Sequence, residues 1–184
     1  MVVAEDHQPY MRPPLSKEMW KESNDALEKR LRFTNLEGKE QSIFFEEIDF
    51  FAQLEASGRV EVIRVDKQNN MLLSPDAHTL RLYDGTSIRF EKCLIATGGE
   101  PNARIPGLNE LGKHVSVFRH LGDYRRLRGL IREPASDKKH VVIVGGGFLG
   151  SELAWALARF PNLKLTQVVS SPSGIMSQVF PQYL

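Results

Sequence analysis

The stretch Val141–Leu157, VVIVGGGFLGSELAWAL, joins an apolar β-branched run to a glycine cluster and an apolar helical pattern. The apolar run predicts a short buried strand over Val141–Val144. Gly145, Gly147 and Gly150 then give the spacing G-x-G-x-x-G at the point where a helix begins. Strand, glycine turn and helix in this order are typical of a dinucleotide-binding unit. We therefore predict an α/β fold that binds a nucleotide here.

Each glycine of the turn has a predicted role. Gly145 permits the tight turn, Gly147 lets the backbone approach a pyrophosphate, and Gly150 allows the helix to pack closely on the strand. The helix N-terminus adds unpaired N–H groups and a positive dipole end for the phosphates. The alternative is a glycine-rich turn in some other α/β protein.

The second half of this fingerprint is incomplete. An acid that binds the nicotinamide ribose is expected about 20 residues after the glycines, but the strand over Lys164–Val169 runs into SSPSG. Ser170 and Ser171 stand where the acid would be, and no arginine in SSPSGIMSQ is placed for a 2′-phosphate. The choice between NADH and NADPH stays open, and we favour NADH.

The composition indicates a globular protein of one or two domains. The chain has 184 residues, 41% of them hydrophobic, and a formal net charge of +1, so charge alone suggests no nucleic-acid or acidic partner. The single cysteine, Cys93, excludes an internal disulfide and a C-x-x-C redox pair. Because Cys93 lies in the apolar run CLIAT, we predict a packed core thiol. We expect no metal site and no membrane-spanning segment.

Antiparallel strands separate this unit from the N-terminus. We predict a strand end at MVVAED, a helix within residues 16–31 with a break near Asn24, and a hairpin that turns at Gly38. A meander with an Asp-Gly turn follows, then buried strands in KCLIATGGEP and HVSVF and a helix over Leu121–Ile131. The meander strands are predicted at Val60–Val65, Met71–Leu73, Leu80–Tyr83 and Ser87–Phe90.

Three segments carry a resemblance to a known family. PYMRPPLSK, FEKCLIATGG and GGGFLGSELA, in this order, resemble the ferredoxin-reductase-like flavoproteins of the pyridine nucleotide-disulfide reductase superfamily, and among them the family of apoptosis-inducing factors. The resemblance implies a two-dinucleotide (FAD/NAD) Rossmann-type flavoprotein fold with an antiparallel β insert, truncated at both ends. It divides the chain into an FAD-binding domain, residues 1–102, without its first strand and glycine turn, and the N-terminal part of an NADH-binding domain, residues 103–184.

The resemblance also implies cofactor-binding residues. Glu5, with Asp6 beside it, matches the acid that holds the FAD ribose, and Val62 matches a residue against the adenine. Arg12 matches the residue that reaches the FAD phosphates and ring, and Arg119 matches a further FAD contact. The turn that binds NADH comprises Gly145, Gly146, Gly147, Phe148, Leu149 and Gly150.

Two residues match the catalytic positions of the family. Lys17 matches the lysine beside the flavin ring, where an ammonium would stabilise negative charge on the reduced flavin. Glu152 matches the acid that pairs with this lysine and contacts the nicotinamide side. Without the resemblance, Lys17 would be an exposed lysine and Glu152 a first-turn acid that interacts with the helix dipole.

The implied function is that of an FAD-dependent NAD(P)H oxidoreductase which passes hydride from NADH to flavin and then to an unknown electron acceptor. By resemblance the protein is mitochondrial, in the intermembrane space, with release to the nucleus, a role in apoptosis and an NADH-dependent homodimer. DNA binding is a further implication, since Lys92 matches a DNA-binding position, but Asn102 replaces an arginine. Ser171 and Gln178 likewise replace a nicotinamide-ribose glutamate and a lysine.

Two alternatives remain open. One is a ferredoxin or rubredoxin reductase, and the other is a non-enzymatic NADH-sensing scaffold or DNA-binding protein. The chain by itself is expected to be inactive, because the first glycine fingerprint of the family would lie before Met1.

Overall fold

The computed structural model describes residues 2–4, 9–21, 30–45, 50–65, 71–102, 107, 110, 112, 114–134 and 137–176. The chain divides into two compact units, the first formed by residues 1–9 and 46–100 and the second by residues 10–45 and 101–184. No helix of these ranges is long and apolar enough to cross a membrane. The predicted division of the chain at residues 102 and 103 stays a prediction.

The described elements are numbered in chain order. The strands are β1 (Val2–Ala4), β2 (Arg32–Thr34), β3 (Glu40–Ser42), β4 (Val62–Arg64), β5 (Leu72–Ser74), β6 (Thr79–Arg81), β7 (Ser87–Arg89), β8 (Lys139–Val144) and β9 (Leu163–Val168). The helices are α1 (Glu18–Lys21), α2 (Phe50–Ala56), α3 (Leu121–Arg132) and α4 (Phe148–Leu157), and a 3₁₀ turn over Pro13–Ser16 precedes α1.

The first unit holds a parallel pair and an antiparallel meander. β1 pairs with β4 in parallel, and β5, β6 and β7 form a three-stranded antiparallel sheet. The turn between β6 and β7 contains Gly85 at φ +88°, and Asp84 Oδ1 accepts the Thr86 N–H at 2.8 Å. This hydrogen bond lowers the pKa of Asp84. The Asp-Gly hairpin is therefore confirmed.

The prediction of a buried strand in KCLIATGGEP is wrong. Residues 91–102 form no regular element, Cys93 is exposed, and Leu94 is 89% exposed. A buried strand needs hydrogen-bonded neighbours and covered faces, and none of the described strands pairs with this segment. Cys93 is therefore not a packed core thiol.

The second unit begins with the segment that resembles the flavin-contacting motif. Tyr10 forms an antiparallel bridge with Phe44, and the Met11 N–H donates to Ile43 O at 2.7 Å. The residues that follow, β2 and β3, form the predicted hairpin, with Gly38 in its turn at φ +79°. This pairing fixes the start of the segment against the hairpin.

The dinucleotide-type pair β8 and β9 is parallel, with Val144 opposite Val168. The predicted strand at Val141–Val144 is present, but its side chains alternate between covered and exposed, and Val142 and Val144 are 51% and 68% exposed. The prediction that this strand is fully buried was wrong, because only one face of the β8–β9 pair packs on the core.

The core of the second unit joins these elements. Its buried side chains come from the 3₁₀ turn and α1, from β2, and from α3, α4 and β9. Trp20 meets Tyr124 edge to face at 5.0 Å, and the Arg128 guanidinium lies over the rings of Trp20 and Phe160. The 3₁₀ turn and α4 are thereby held in fixed positions.

Three further sequence predictions can be compared with the structure. α3 confirms the predicted helix over Leu121–Ile131. The predicted strand in HVSVF is absent, because Val115 N–H bonds to Gly112 O in a turn and no described strand pairs with the segment. The helix α2 was not predicted at all. Of the predicted helix within residues 16–31, residues 22–29 lie outside the described ranges.

Candidate functional site

The glycine turn at the end of β8 has the predicted geometry. Gly145 adopts φ +131°, which favours glycine, and its N–H donates to Val168 O at 2.9 Å. Its carbonyl accepts the Gln167 side-chain N–H at 2.8 Å. The chain thus turns at Gly145 and enters α4 with Gly147 as the N-cap residue.

Gly147 and Gly150 differ in what surrounds them. A Cβ at Gly150 would stand 2.5 Å from Gly145 O, whereas a Cβ at Gly147 would have no atom within 4 Å. Gly150 is therefore required for close packing of α4 on the turn. Gly147 leaves the N-terminus of α4 open, and Phe148 and Leu149 after it are both about half exposed. A pyrophosphate can approach the backbone at this point.

The serine-rich loop after β9 lies beside this turn. The Met176 N–H donates to Gly146 O at 2.8 Å, and Ser171 Oγ accepts the Ser173 N–H at 3.3 Å. Ser171 follows the carboxyl end of β9, at the edge of the sheet where β8 gives way to the glycines. No carboxylate occurs over residues 169–176.

Lys17 and Glu152 meet, although 135 positions separate them. Lys17 Nζ lies 3.2 Å from Glu152 Oε1, with side chains 38% and 29% exposed. The other oxygen, Glu152 Oε2, accepts a hydrogen bond from Ser16 Oγ at 2.7 Å. The structure therefore brings together the two predicted catalytic residues and adds Ser16, which the sequence interpretation did not select.

Proline and a buried anchor set the position of this cluster. Pro13 and Pro14 begin the 3₁₀ turn with φ already fixed. The Trp20 indole N–H donates to Leu15 O at 2.6 Å inside the core. Glu152 is the fifth residue of α4, and α4 packs against this turn. Ser16 is only 3% exposed, so a polar partner for it could have been expected from burial but not from sequence.

Arg119 presents an unmet hydrogen-bond donor. Its Nε is buried and has no partner among the described residues. The Asp123 carboxylate accepts the N–H groups of Arg119 and His120 at 2.8 and 2.7 Å, and the Leu121 N–H donates to the Tyr10 hydroxyl at 3.1 Å. The hydrogen bond to Tyr10 therefore connects the start of α3 to the segment that contains Arg12. The side chain of Arg12 is exposed.

The other residues named from the sequence are divided between the two units or fall outside the described ranges. Val62 lies in β4 of the first unit, where its N–H donates to Glu55 Oε1 at 3.2 Å. Lys92 also belongs to the first unit, while Asn102 belongs to the second. Glu5, Asp6 and Gln178 lie outside the described residues. No cluster of metal-ligating side chains is found within the described ranges.

Comparison with known protein families agrees with this geometry. The profile of the pyridine nucleotide-disulphide oxidoreductases matches residues 1–183. The chain belongs to this family. Membership confirms the family resemblance and, at the level of the family, the predicted oxidoreductase class.

Two curated relatives are similar over most of the chain. "Apoptosis-inducing factor 1, mitochondrial" of Dictyostelium discoideum is 35% identical over 96% of this chain and 32% of its own length. The "p-cumate 2,3-dioxygenase system, ferredoxin--NAD(+) reductase component" of Pseudomonas putida is 33% identical over 97% of this chain and 37% of its own length. This oxidoreductase-family chain therefore spans about a third of the length of these relatives, and the resemblance to apoptosis-inducing factors is confirmed.

A solved structure shows the fold. The NADH:rubredoxin oxidoreductase of Clostridium acetobutylicum superposes with a TM-score of 0.60 and 21% identity, over 91% of this chain and 38% of that one. The predicted two-dinucleotide Rossmann-type fold class is confirmed.

Proposed function

We propose that this chain is the part of an FAD-dependent NADH oxidoreductase in which the flavin-contacting segment meets the nicotinamide-binding unit. The observation that carries the proposal is the Lys17–Glu152 ion pair. It joins the motif PYMRPPLSK to the helix that follows the glycine fingerprint. The two halves of a hydride-transfer site are expected to meet at such a contact.

The glycine turn fits a nicotinamide dinucleotide. Gly145 makes the turn, the open side of Gly147 admits the pyrophosphate, and the N–H groups of Gly147, Phe148 and Leu149 at the start of α4 would bind it. Gly146 supports the neighbouring loop through its carbonyl. These residues would orient the nicotinamide toward Glu152.

The second unit also fits a bound flavin. The Nε of Arg119 is buried and has no partner among the described residues, so it can donate to a bound flavin. Arg12 supplies an exposed guanidinium that is permanently charged. Glu5, Asp6 and Val62 are assigned to the FAD adenosine by resemblance. When bound, FAD supplies the hydride acceptor for the dihydronicotinamide.

Lys17 and Glu152 would do different work at this site. The Lys17 ammonium would stabilise negative charge that develops beside it during hydride transfer, which is electrostatic rather than acid–base catalysis. Glu152 would hold that ammonium in place and exclude alternative positions of the long, flexible lysine side chain. The carboxylate would also contact the nicotinamide side.

We propose NADH as the preferred donor over NADPH. The loop after β9 offers neither an acid nor an arginine, so the preference is expected to be modest. A mitochondrial location and a role linked to apoptosis are supported by the name of the Dictyostelium relative. Four finer statements stay predictions from resemblance: location in the intermembrane space, release to the nucleus, formation of a homodimer and DNA binding through Lys92.

A second candidate function is that of a ferredoxin reductase. The Pseudomonas relative, a ferredoxin–NAD(+) reductase component, favours it at a similar identity. The two candidates share the first half-reaction and differ in the acceptor. Rapid reoxidation of the reduced flavin by an oxidised ferredoxin, whose iron–sulfur cluster is reduced in turn, would support the second candidate.

The test is an anaerobic titration of the protein, purified in its full natural length with FAD, against NADH and then NADPH. The proposed function requires loss of the visible flavin absorbance on addition of NADH. Absence of bleaching by either nucleotide would refute the oxidoreductase proposal and leave a flavin-binding scaffold.

A further inference from the structure

We propose that Ser16 is a positioning residue for hydride transfer, because its hydroxyl fixes the carboxylate of Glu152 against Lys17. The inference rests on the proposed function and deepens it. It adds a residue that neither the glycine fingerprint nor the ion pair identifies. Ser16 is buried, and its Oγ lies 2.7 Å from Glu152 Oε2.

The ion pair alone does not set the orientation of Glu152. Lys17 has a four-carbon stem with many rotamers, and its ammonium can follow a carboxylate that rotates. Ser16 has one short side chain on a rigid 3₁₀ turn, whose neighbours Pro14 and Leu15 are buried. The hydroxyl therefore defines where Oε2 must stand, and the opposite oxygen then faces Lys17 Nζ.

Ser16 can also release Glu152 without leaving a buried donor unpaired. A serine hydroxyl donates one hydrogen, and Ser16 Oγ lies 3.2 Å from Pro13 O as well as 2.7 Å from Glu152 Oε2. The shorter contact, to a carboxylate, is the stronger one. If a bound nicotinamide draws Glu152 away, the hydroxyl can turn to Pro13 O. Ser16 thus positions Glu152 before the nucleotide binds and still has an acceptor if the carboxylate moves.

The test uses the purified protein of full natural length with FAD and measures the limiting rate of flavin reduction and the apparent Kd for NADH by stopped flow. Ser16→Ala is expected to lower the limiting rate about 10-fold with little change in Kd. Ser16→Cys keeps the shape of the side chain, with a somewhat larger atom, but donates only weakly, so it is expected to behave like Ser16→Ala. Ser57→Ala, at an exposed hydroxyl that bonds to Leu54 O, is the matched control and leaves the rate unchanged.

A thermodynamic cycle gives a readout that needs no activity. Urea unfolding of Ser16→Ala, Glu152→Ala and the double variant is expected to show coupling, because either single variant already removes the hydrogen bond between the two side chains. The reduction rates of the same set are expected to be non-additive as well. Additive effects in both cycles, or a Ser16→Cys protein as fast as wild type, would overturn the proposal.

If the proposed function itself is wrong, the wild-type protein and not only the variants will fail to reduce the flavin. If the wild-type flavin is not reduced by NADH or NADPH, the oxidoreductase proposal is refuted, and the role of Ser16 in hydride transfer is refuted with it. Coupling between Ser16 and Glu152 in the unfolding cycle would then still establish the contact itself.

Discussion

At the scale of single residues, the proposed function rests on the cluster of Ser16, Lys17 and Glu152. Two of its three members follow from the resemblance of PYMRPPLSK and GGGFLGSELA to known motifs. Both oxygens of the carboxylate accept hydrogen bonds from consecutive residues, Ser16 and Lys17. The position of the Lys17 ammonium is therefore set by the Glu152 carboxylate, not by the conformational preference of the lysine side chain.

We expect Lys17→Met to slow flavin reduction about 10- to 100-fold, because it removes the charge that would stabilise the reduced flavin while it keeps the length of the side chain. The loss is smaller than for a fully buried group, since Lys17 is 38% exposed. Stopped-flow reduction by NADH measures it. Lys39→Met, at an exposed lysine paired with Glu37 at 3.0 Å, is the control, and an equal effect of both variants would contradict the assignment.

Ser171→Glu is expected to raise the ratio of kcat/KM for NADH over NADPH by about 10-fold or more. A carboxylate at the end of β9 would accept the ribose hydroxyls of NADH and repel the 2′-phosphate of NADPH. Steady-state kinetics with both nucleotides give the ratio. Ser173→Glu adds the same charge two residues further along the loop and is expected to change the ratio less. An unchanged ratio in Ser171→Glu would show that this position does not meet the ribose.

The residues that sequence reasoning missed share one cause. Ser16 was not selected from the sequence, and Cys93 was judged by its neighbours in sequence, whereas the environment of each depends on segments distant along the chain. Ser16 acquires a carboxylate 136 positions away. Cys93 lies in an apolar run that no described strand covers. Local patterns do not contain this information.

At the scale of elements, short-range patterns were reliable where a turn residue enforces the geometry. Gly38, Gly85 and Gly145 all adopt positive φ at the predicted turns, and both hairpins and the nucleotide-type turn formed as expected. HVSVF has a strand-like composition but no described pairing partner, and no helix was predicted at α2. Glycine turns are fixed locally, whereas strands depend on neighbours.

The two glycines of the nucleotide turn are expected to respond differently to the same substitution. Gly150→Ala places a methyl 2.5 Å from Gly145 O, so we expect a loss of about 1–3 kcal/mol in the free energy of unfolding. In Gly147→Ala the added methyl would have no atom within 4 Å, and the backbone φ of −79° suits alanine. The free energy of unfolding is therefore expected to change by less than about 0.5 kcal/mol. Its methyl would instead weaken NADH binding, about 10-fold, by obstructing the pyrophosphate.

Urea unfolding and NADH titration of both variants check this contrast. The assignment of the turn fails if Gly147→Ala binds NADH as wild type does. It also fails if Gly150→Ala is as stable as wild type.

The hairpin between β6 and β7 is expected to weaken in acid. The hydrogen bond from Thr86 N–H lowers the pKa of Asp84 below its ordinary value of 3.8. The stabilisation is therefore complete above pH 3.8 and is lost as the pH falls through the lowered value in the folded state. The amide proton shift of Thr86, followed by NMR, is expected to titrate with a midpoint below 3.8 and to lose this titration in Asp84→Asn. A midpoint at or above 3.8 would contradict the hydrogen bond.

At the scale of the whole molecule, the chain begins in the first unit, enters the second at residue 10, returns to the first at residue 46 and enters the second again at residue 101. The segment over residues 10–45 lies in the sequence between two parts of the first unit, yet it packs with residues 101–184. The sequence predicted the fold class and the order of motifs, because both are carried by contiguous stretches. It did not predict which stretches pack together, since that depends on contacts across the chain.

The discontinuity of the second unit has a consequence for synthesis on the ribosome. Lys17 leaves the ribosome 135 residues before its partner Glu152, which at typical translation rates is roughly 7 to 27 s. For most of that interval the core around Trp20 and Leu15 is incomplete, because α3 is made late in it and α4 and β9 are completed only after it. The nascent segment therefore exposes its apolar side chains for seconds, and this is the period in which a chaperone that binds such side chains would protect it.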